Sequence, residues 1–386
     1  MRVLQVHNRY RDPGGEDTSV AAEAELLRIA GHEVVSYTVD NPRGAARAAA
    51  GMATAAWNPR AAKKLERFAA RVAPDVTHVH NTWFALSPAA VHSLKQAGTP
   101  VVVTLHNYRL VCANALLFRE GAPCELCVGS QPWHAIRYRC YRQSRPASAV
   151  AATTIAINRA RGTWDHNVDA FVALTDFAKR RFVAAGLPGE RITVKPHFVF
   201  DPGPRPAPPS DSNVVLYVGR LSPEKGLTTL LAAWRQAKVD ALKLRIIGDG
   251  PLRPTLEAAA DASVEFTGTQ PPTTVRKEML GARALVFPSE WYETQGMVLL
   301  EAFSAGLPAM ASDLGAAGEV MSDVDAQWRR EPSDERGWAE GLRTLLDGAG
   351  VDDVGEHVRT LWADRFSPAR ARASLLAIYE RARASQ

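Results

Sequence analysis

A chain of 386 residues with 46% hydrophobic and 23% charged side chains has material for two or three domains, each able to bury a core, and is neither a disordered nor a low-complexity sequence. The net charge of +5 is mild: it suits an anionic ligand or peripheral contact with an anionic lipid face, and without a dense Arg/Lys and aromatic array it argues against nucleic acid as a partner. No apolar run reaches the ~18 residues of a membrane span, and Met1-Arg2-Val3-Leu4-Gln5-Val6 reads as a first strand, not a signal peptide, so the expected location is cytoplasmic.

The first half alternates two patterns. Val3–Val6, Glu33–Val39, Val76–His80, Val101–Leu105, Phe171–Leu174 and Ile192–Lys195 read as strands. Thr18–Ala30 and Arg60–Ala73 read as helices between them. That alternation predicts a parallel sheet covered on both faces. Gly14-Gly15 follows the first strand and precedes a helix; it is either a tight turn or a place where backbone approaches a ligand closely. Ligands of open parallel sheets sit outside the strand carboxyl ends. This rule singles out His80 and Asn81 after the third strand and His106 after the fourth, with His78 expected inside the sheet.

All four cysteines, Cys112, Cys124, Cys127 and Cys140, fall in one loop-like basic insertion, residues 108–146. Their C-x11-C-x2-C-x12-C spacing offers tetrahedral thiolate coordination to a structural zinc. Packed reduced thiols and disulfides stand as the alternatives. Further on, Phe171 to Phe182 reads as strand into helix, with Thr175 or Asp176 as N-cap.

The Pro-, Ser- and Asp-rich stretch 201–213 reads as a linker between domains. The alternation then restarts with a strand at Val214–Val218 and the turn Gly219-Arg220-Leu221-Ser222-Pro223-Glu224-Lys225-Gly226. Arg220 offers a fork and Lys225 a point charge to one anion, unless both are plain surface cations. Strands at Leu244–Ile247 and from Val264 to the Gly268 turn follow. Ala284–Phe287 is a strand leading to Glu293-Thr294-Gln295-Gly296 and a helix ended by Gly306 and Pro308. Free amides at that helix start, near Met297 and Val298, and its positive dipole end form a seat for a diphosphate. Glu293 and Glu301, eight residues apart, read as carboxylates about 12 Å apart along one helix axis, spaced to hold two ends of a hydroxyl-rich ligand. Gly315 to Glu319 reads as a turn. The last helix opens with Ser367 as N-cap and Pro368, with Leu375, Ile378, Tyr379 and Ala382 on one face.

Pro288-Ser289, Glu293, Gly296, Glu301-Ala302, Gly306-Leu307-Pro308 and Glu319, together with Gly-Arg-x4-Lys-Gly at 219–226, resemble the donor-binding segments of the family-4 glycosyltransferases, retaining enzymes of the GT-B fold. Thr294-Gln295 departs from the Gly-Phe that family often carries, and His197 stands near a common Asn.

The resemblance implies an α/β protein of two Rossmann-like, doubly wound parallel-sheet domains facing each other across a cleft. It assigns 1–200 to the acceptor side, 214–366 to the nucleotide-sugar side and 367–386 to a helix returning to the first domain. It implies a UDP- or GDP-sugar donor, a diphosphate held by Arg220, Lys225 and the amides near Gly296, Met297 and Val298, and no metal cofactor in catalysis. Glu301 would take the ribose hydroxyls, Glu293 the sugar hydroxyls and His106 the transferred sugar. Gly14, Gly15, Gly219 and Gly268 would line the donor. The acceptor stays open between a polysaccharide intermediate, a lipid-linked sugar and a small metabolite. An epimerase or hydrolase on the same fold, and a non-catalytic binding protein, are the rival readings. The oligomeric state is undetermined.

Overall fold

The computed structural model describes residues 1–10, 14–42, 44, 51–346, 348 and 350–385. It divides into two compact units. The first holds Met1–Leu117, Cys124–Pro196 and Ala371–Gln386; the second holds Phe118–Pro123 and His197–Arg370.

In the first unit, β1 (Arg2–Arg9), β2 (Glu33–Asp40), β3 (Val76–Asn81) and β4 (Val101–Thr104) precede a short antiparallel pair, β5 (Phe118–Arg119) and β6 (Ala122–Pro123), which groups with the second unit. β7 (Ala170–Ala173) and β8 (Ile192–Val194) complete a six-stranded sheet in the order β2-β1-β3-β4-β7-β8, every neighbour pair parallel. The six inner residues of β1 and all of β3, β4 and β7 are buried, as strands covered on both faces must be. The C-terminal helix, Pro368–Ala384, lays Leu375, Ile378, Tyr379 and Ala382 on Val3, Val76, Val102 and Val172.

The second unit has β9 (Val214–Val218), β10 (Lys243–Ile247), β11 (Val264–Gly268), β12 (Ala284–Phe287), β13 (Ala309–Ser312) and β14 (Arg329–Arg330). Their order is β11-β10-β9-β12-β13-β14, again parallel throughout. This is the doubly wound nucleotide-binding order 3-2-1-4-5-6, whose direction of winding reverses between β9 and β12.

One expectation changes. Residues 315–319 are not a turn: Gly315–Val320 is a short helix, with Ala316, Ala317 and Val320 buried against the core. Ser367 stands extended immediately before the last helix, as its N-cap does, and its hydroxyl donates back to the Ala363 carbonyl at 2.7 Å. The proline-rich stretch is itself anchored, since Arg205 donates to the carbonyls of Met279, Ala282 and Ala305 at 2.9, 2.6 and 3.2 Å.

Candidate functional site

The loops after β9 and β12 leave the sheet side by side at its switch point, and they interlock. Gly226 has φ +70°, and a Cβ there would sit 1.9 Å from the Pro288 carbonyl oxygen. The Glu290 amide donates to the Glu224 carbonyl at 2.9 Å. Across this junction Lys225 Nζ lies 2.6 Å from Glu293 Oε1. The same oxygen accepts from Ser289 Oγ and Trp291 Nε1, each at 2.9 Å. Lys225 also faces the Trp291 and Phe287 rings, at 5.1 and 5.9 Å from their centroids. Glu293 is buried, so three donors on one oxygen fix its orientation.

Arg220 is anchored differently. Its guanidinium reaches Glu224 at 2.5 Å and Ser222 at 3.1 Å, yet 60% of the side chain remains exposed. Glu224 is buried; burial alone would raise its pKa, but Ser222, its own backbone amide and Arg220 outweigh that and draw it below the usual carboxylate range. Tyr217 supports the loop by donating to the Arg220 carbonyl at 3.0 Å, with its ring against Gly219, where a Cβ would meet the hydroxyl at 2.9 Å.

Glu293 and Glu301 do not share a helix. Residues 291–296 form an irregular turn, and the helix spans Met297–Ser304 with Gly296 as N-cap at φ +88°. The departure at 294–295 has a local cause. Gln295 is 1% exposed and its Oε1 accepts the His197 amide at 2.8 Å. The two atypical positions are thus partners, and Gln295 points into the unit instead of toward a ligand. Glu301, half-buried within the helix, has its carboxyl pushed up to about 7 by burial, with Arg276 partly opposing. Gly268, φ +71°, ends β11, and its carbonyl accepts the Gly248 amide at 2.9 Å.

In the first unit, Gly14 is the N-cap of the helix Gly15–Ile29, and its amide donates to Asp17 Oδ2 at 3.0 Å. Nothing lies within 4 Å of where a Gly14 Cβ would stand, so the backbone there is open. His106 follows β4, half-buried, with Nε2 3.0 Å from His80 Nδ1. His80 and Asn81 are both buried, yet they line a cavity of the first unit together with His106. Asn81 is spent on the chain itself, donating to the Asn8 carbonyl and accepting from the Trp83 amide, each at 2.8 Å.

The four cysteines carry no disulfide; Cys112 and Cys127 are buried, Cys124 and Cys140 half-buried. Burial, then the neighbouring Cys112, Cys140 and Cys124, push the Cys127 thiol up to about 12, so the four sulfurs share one neighbourhood. They are not drawn together to ligand distance. Among the described residues, the single group of three or more candidate ligand side chains whose atoms lie within 4.8 Å of one another is Glu23, His78 and His80.

Two family models match this chain: "Glycosyltransferase Family 4" over residues 13–200 and "Glycosyl transferases group 1" over residues 212–348. The chain belongs to the family-4 glycosyltransferases, of GT-B fold. It is therefore an enzyme, and the reading as a non-catalytic binding protein falls away.

This glycosyltransferase is 26% identical over 364 residues to the phosphatidyl-myo-inositol mannosyltransferase of Mycolicibacterium smegmatis, covering 88% of this chain and 82% of that protein. It is 24% identical to the alpha-D-kanosaminyltransferase of Streptomyces kanamyceticus, covering 73% and 70%. Its fold is similar to that of sucrose-phosphate synthase from Thermosynechococcus elongatus, with a TM-score of 0.71 at 16% identity over 100% of both chains. Anabaena Alr3699/HepE, solved with UDP and glucose, matches at a TM-score of 0.67 and 16% identity over 97% and 98%.

Sequence reasoning about the glycosyltransferase missed Trp291 and Glu224. Trp291 lies two residues before Glu293, and Glu224 stands inside the Arg-x4-Lys turn, so proximity to the motif was the available signal. Glu23 carried none, because nothing in a helical pattern marks one acid as facing a sheet.

Proposed function

We propose that the protein is a retaining glycosyltransferase that takes its sugar from a nucleoside-diphosphate donor and passes it to a hydroxyl of a polysaccharide intermediate or small-metabolite acceptor. The observation that carries this reading is the Lys225–Glu293 junction at the switch point of the second sheet, with the Met297–Ser304 helix starting four residues after Glu293. An ammonium has three N–H donors. With one directed at Glu293, others serve phosphate oxygens. Arg220, largely exposed, supplies a planar fork to the same anion. The first amides of the helix, at Met297 and Val298, add partial positive charge.

As the sugar–phosphate bond breaks, negative charge grows on the departing diphosphate, and these preformed groups stabilise it where it appears. Glu293, held by Ser289, Trp291 and Lys225, accepts from sugar hydroxyls, and Glu301 accepts from the ribose. His106 orients the transferred sugar. The UDP and glucose with which Anabaena Alr3699/HepE was solved support a nucleotide sugar as donor.

We also propose a structural zinc for the insertion, which would have to draw Cys112, Cys124, Cys127 and Cys140 together, since the four thiols neighbour one another but do not stand at ligand distance. Thiolates are soft ligands that suit zinc, and the ion would tie the insertion together.

The test is a donor screen with and without candidate acceptors, followed by NMR of the product. The reading requires acceptor-dependent release of nucleoside diphosphate and an anomeric centre of the same configuration as in the donor. Epimerised or freely hydrolysed donor as the main product would overturn it in favour of an epimerase or hydrolase.

A further inference from the structure

The chain beyond β3 and β4 borders a cavity that the proposed donor contacts leave unused, and every residue lining it belongs to the first unit. Trp83 follows β3, and Leu105 and Leu110 follow β4. The helix Arg145–Ala160 supplies Ala151 and Ile155, and the short helix Thr163–Asn167 supplies Trp164. His106 stands on the same wall, half-buried.

Most of the polar side chains on this wall are already spent on the chain itself. Asn158 donates to the Ala56 and Thr154 carbonyls at 3.1 and 2.9 Å and accepts from the Thr163 hydroxyl at 2.9 Å. The Thr154 hydroxyl donates to the Val150 carbonyl at 2.8 Å. Asn107 donates to Tyr10 and Glu16, each at 3.1 Å, and accepts the Arg109 amide at 3.0 Å. Thr104 Oγ1 stands 2.7 Å from His78 Nε2. The Arg109 guanidinium lies over two rings, 4.9 Å from the centroid of Trp83 and 5.0 Å from that of Tyr141. With these groups engaged, apolar carbon makes up most of the surface offered to a guest.

Size narrows the guest further. The cavity holds about 60 Å³. One water needs about 10–15 Å³ of such space, so the guest is a group of about four to six heavy atoms, half a hexose or less. A hydroxyl pushed in without a partner costs about tenfold in affinity. Each buried methylene gains about fourfold.

We infer that this cavity seats a compact apolar group of the acceptor, next to the hydroxyl that receives the sugar. That places the acceptor among small metabolites or glycosides with a short alkyl branch or a ring edge near the reacting hydroxyl, ahead of a fully hydroxylated polysaccharide end. The apolar site rests on the geometry of the first unit alone. Its assignment to the acceptor rests on the proposed contact between His106 and the transferred sugar, because His106 shares the wall.

Two four-carbon probes test the site without catalysis: isobutanol, with one hydroxyl, and erythritol, with four. Each is titrated into protein carrying carbon-13 methyl labels on Ile, Leu and Val. Isobutanol should shift the methyl signals of Ile155 and Leu110 and bind about tenfold or more tightly than erythritol. Thr154→Leu fills the cavity and removes a hydroxyl bonded to its own helix. Ala151→Val is the second filling variant should the first fail to fold. A filled variant should lose isobutanol and, with the best acceptor from the donor screen, show acceptor KM raised about tenfold or more with a smaller change in kcat. Erythritol bound as tightly as isobutanol, no isobutanol binding to the wild type, or undiminished binding to a folded filled variant overturns the site. Isobutanol lost with acceptor KM unmoved overturns the assignment to the acceptor. Isobutanol bound by a wild type that only hydrolyses or epimerises its donor keeps the apolar site and overturns instead the transfer reading.

Discussion

Lys225 Nζ and Glu293 Oε1 lie 2.6 Å apart although 68 residues separate them, and the pair fastens the turn after β9 to the turn after β12. Each is mostly buried, so neither charge is isolated in the absence of a ligand. Replacing Lys225 with Ala should lower kcat/KM about 100-fold or more, the loss typical of removing one group that stabilises developing negative charge. Glu293→Gln should lower kcat with a smaller effect on nucleotide affinity. Steady-state kinetics of both variants, alone and combined, check this. Because the two touch, the double variant should lose less than the product of the single losses.

Glu301 provides a pH signature. Its carboxyl is raised to about 7, chiefly by burial, from an ordinary 4.5. A raised acid loses folding stability as pH climbs between those values, because the unfolded chain gives up its proton first. Glu301→Gln should therefore melt with the wild type at about pH 4 and above it at about pH 8. The same variant should bind donor about tenfold or more weakly, since a charge-assisted hydrogen bond is lost. Melting curves across pH, and titration with nucleotide, read the two effects separately.

Gln295→Leu tests whether the atypical Thr294-Gln295 is structural. It keeps volume but leaves the buried His197 amide without its acceptor. A loss of about 1–3 kcal/mol is expected from denaturant unfolding of the variant.

Gly226→Ala should fold poorly. The residue holds φ +70°, and the new methyl would meet the Pro288 carbonyl at 1.9 Å. The backbone strain alone is worth about 1–2 kcal/mol, and relieving the overlap would pull the two site loops apart. Thermal melting together with nucleotide binding checks both consequences.

The cysteine insertion is tested by elemental analysis of purified protein, which should find about one zinc per chain, lost together with insertion structure on chelation. Four freely titratable thiols and no metal would contradict a zinc site.

Much of this was legible in the residues. Buried parallel strands such as Val3–Val6 and Val214–Val218 announce themselves as short apolar runs, and the turns at 219–226 and 288–296 carry glycines and charges that a plain loop does not need. What escaped was decided by tertiary contact. A spacing of eight between Glu293 and Glu301 fits one helix, yet Gly296 at φ +88° starts the helix after Glu293. Gly315–Val320 is helical because its small side chains fit a buried site, which overrides a glycine-rich local preference. Nothing in a single sequence pairs Gln295 with His197, or Glu23 with His78, because those contacts span 98 and 55 positions.

Whether Arg220, Lys225 and the Met297 helix start hold a donor diphosphate can be read from calorimetric titration of the wild type and an Arg220→Ala/Lys225→Ala variant. Uridine and guanosine are compared with their diphosphates. In the wild type one diphosphate should bind about 100-fold or more tightly than its nucleoside, and the advantage should collapse in the variant as the charge-assisted bonds are lost. An advantage of the same size in the folded variant, or none in the wild type, would show that these groups do not hold the diphosphate.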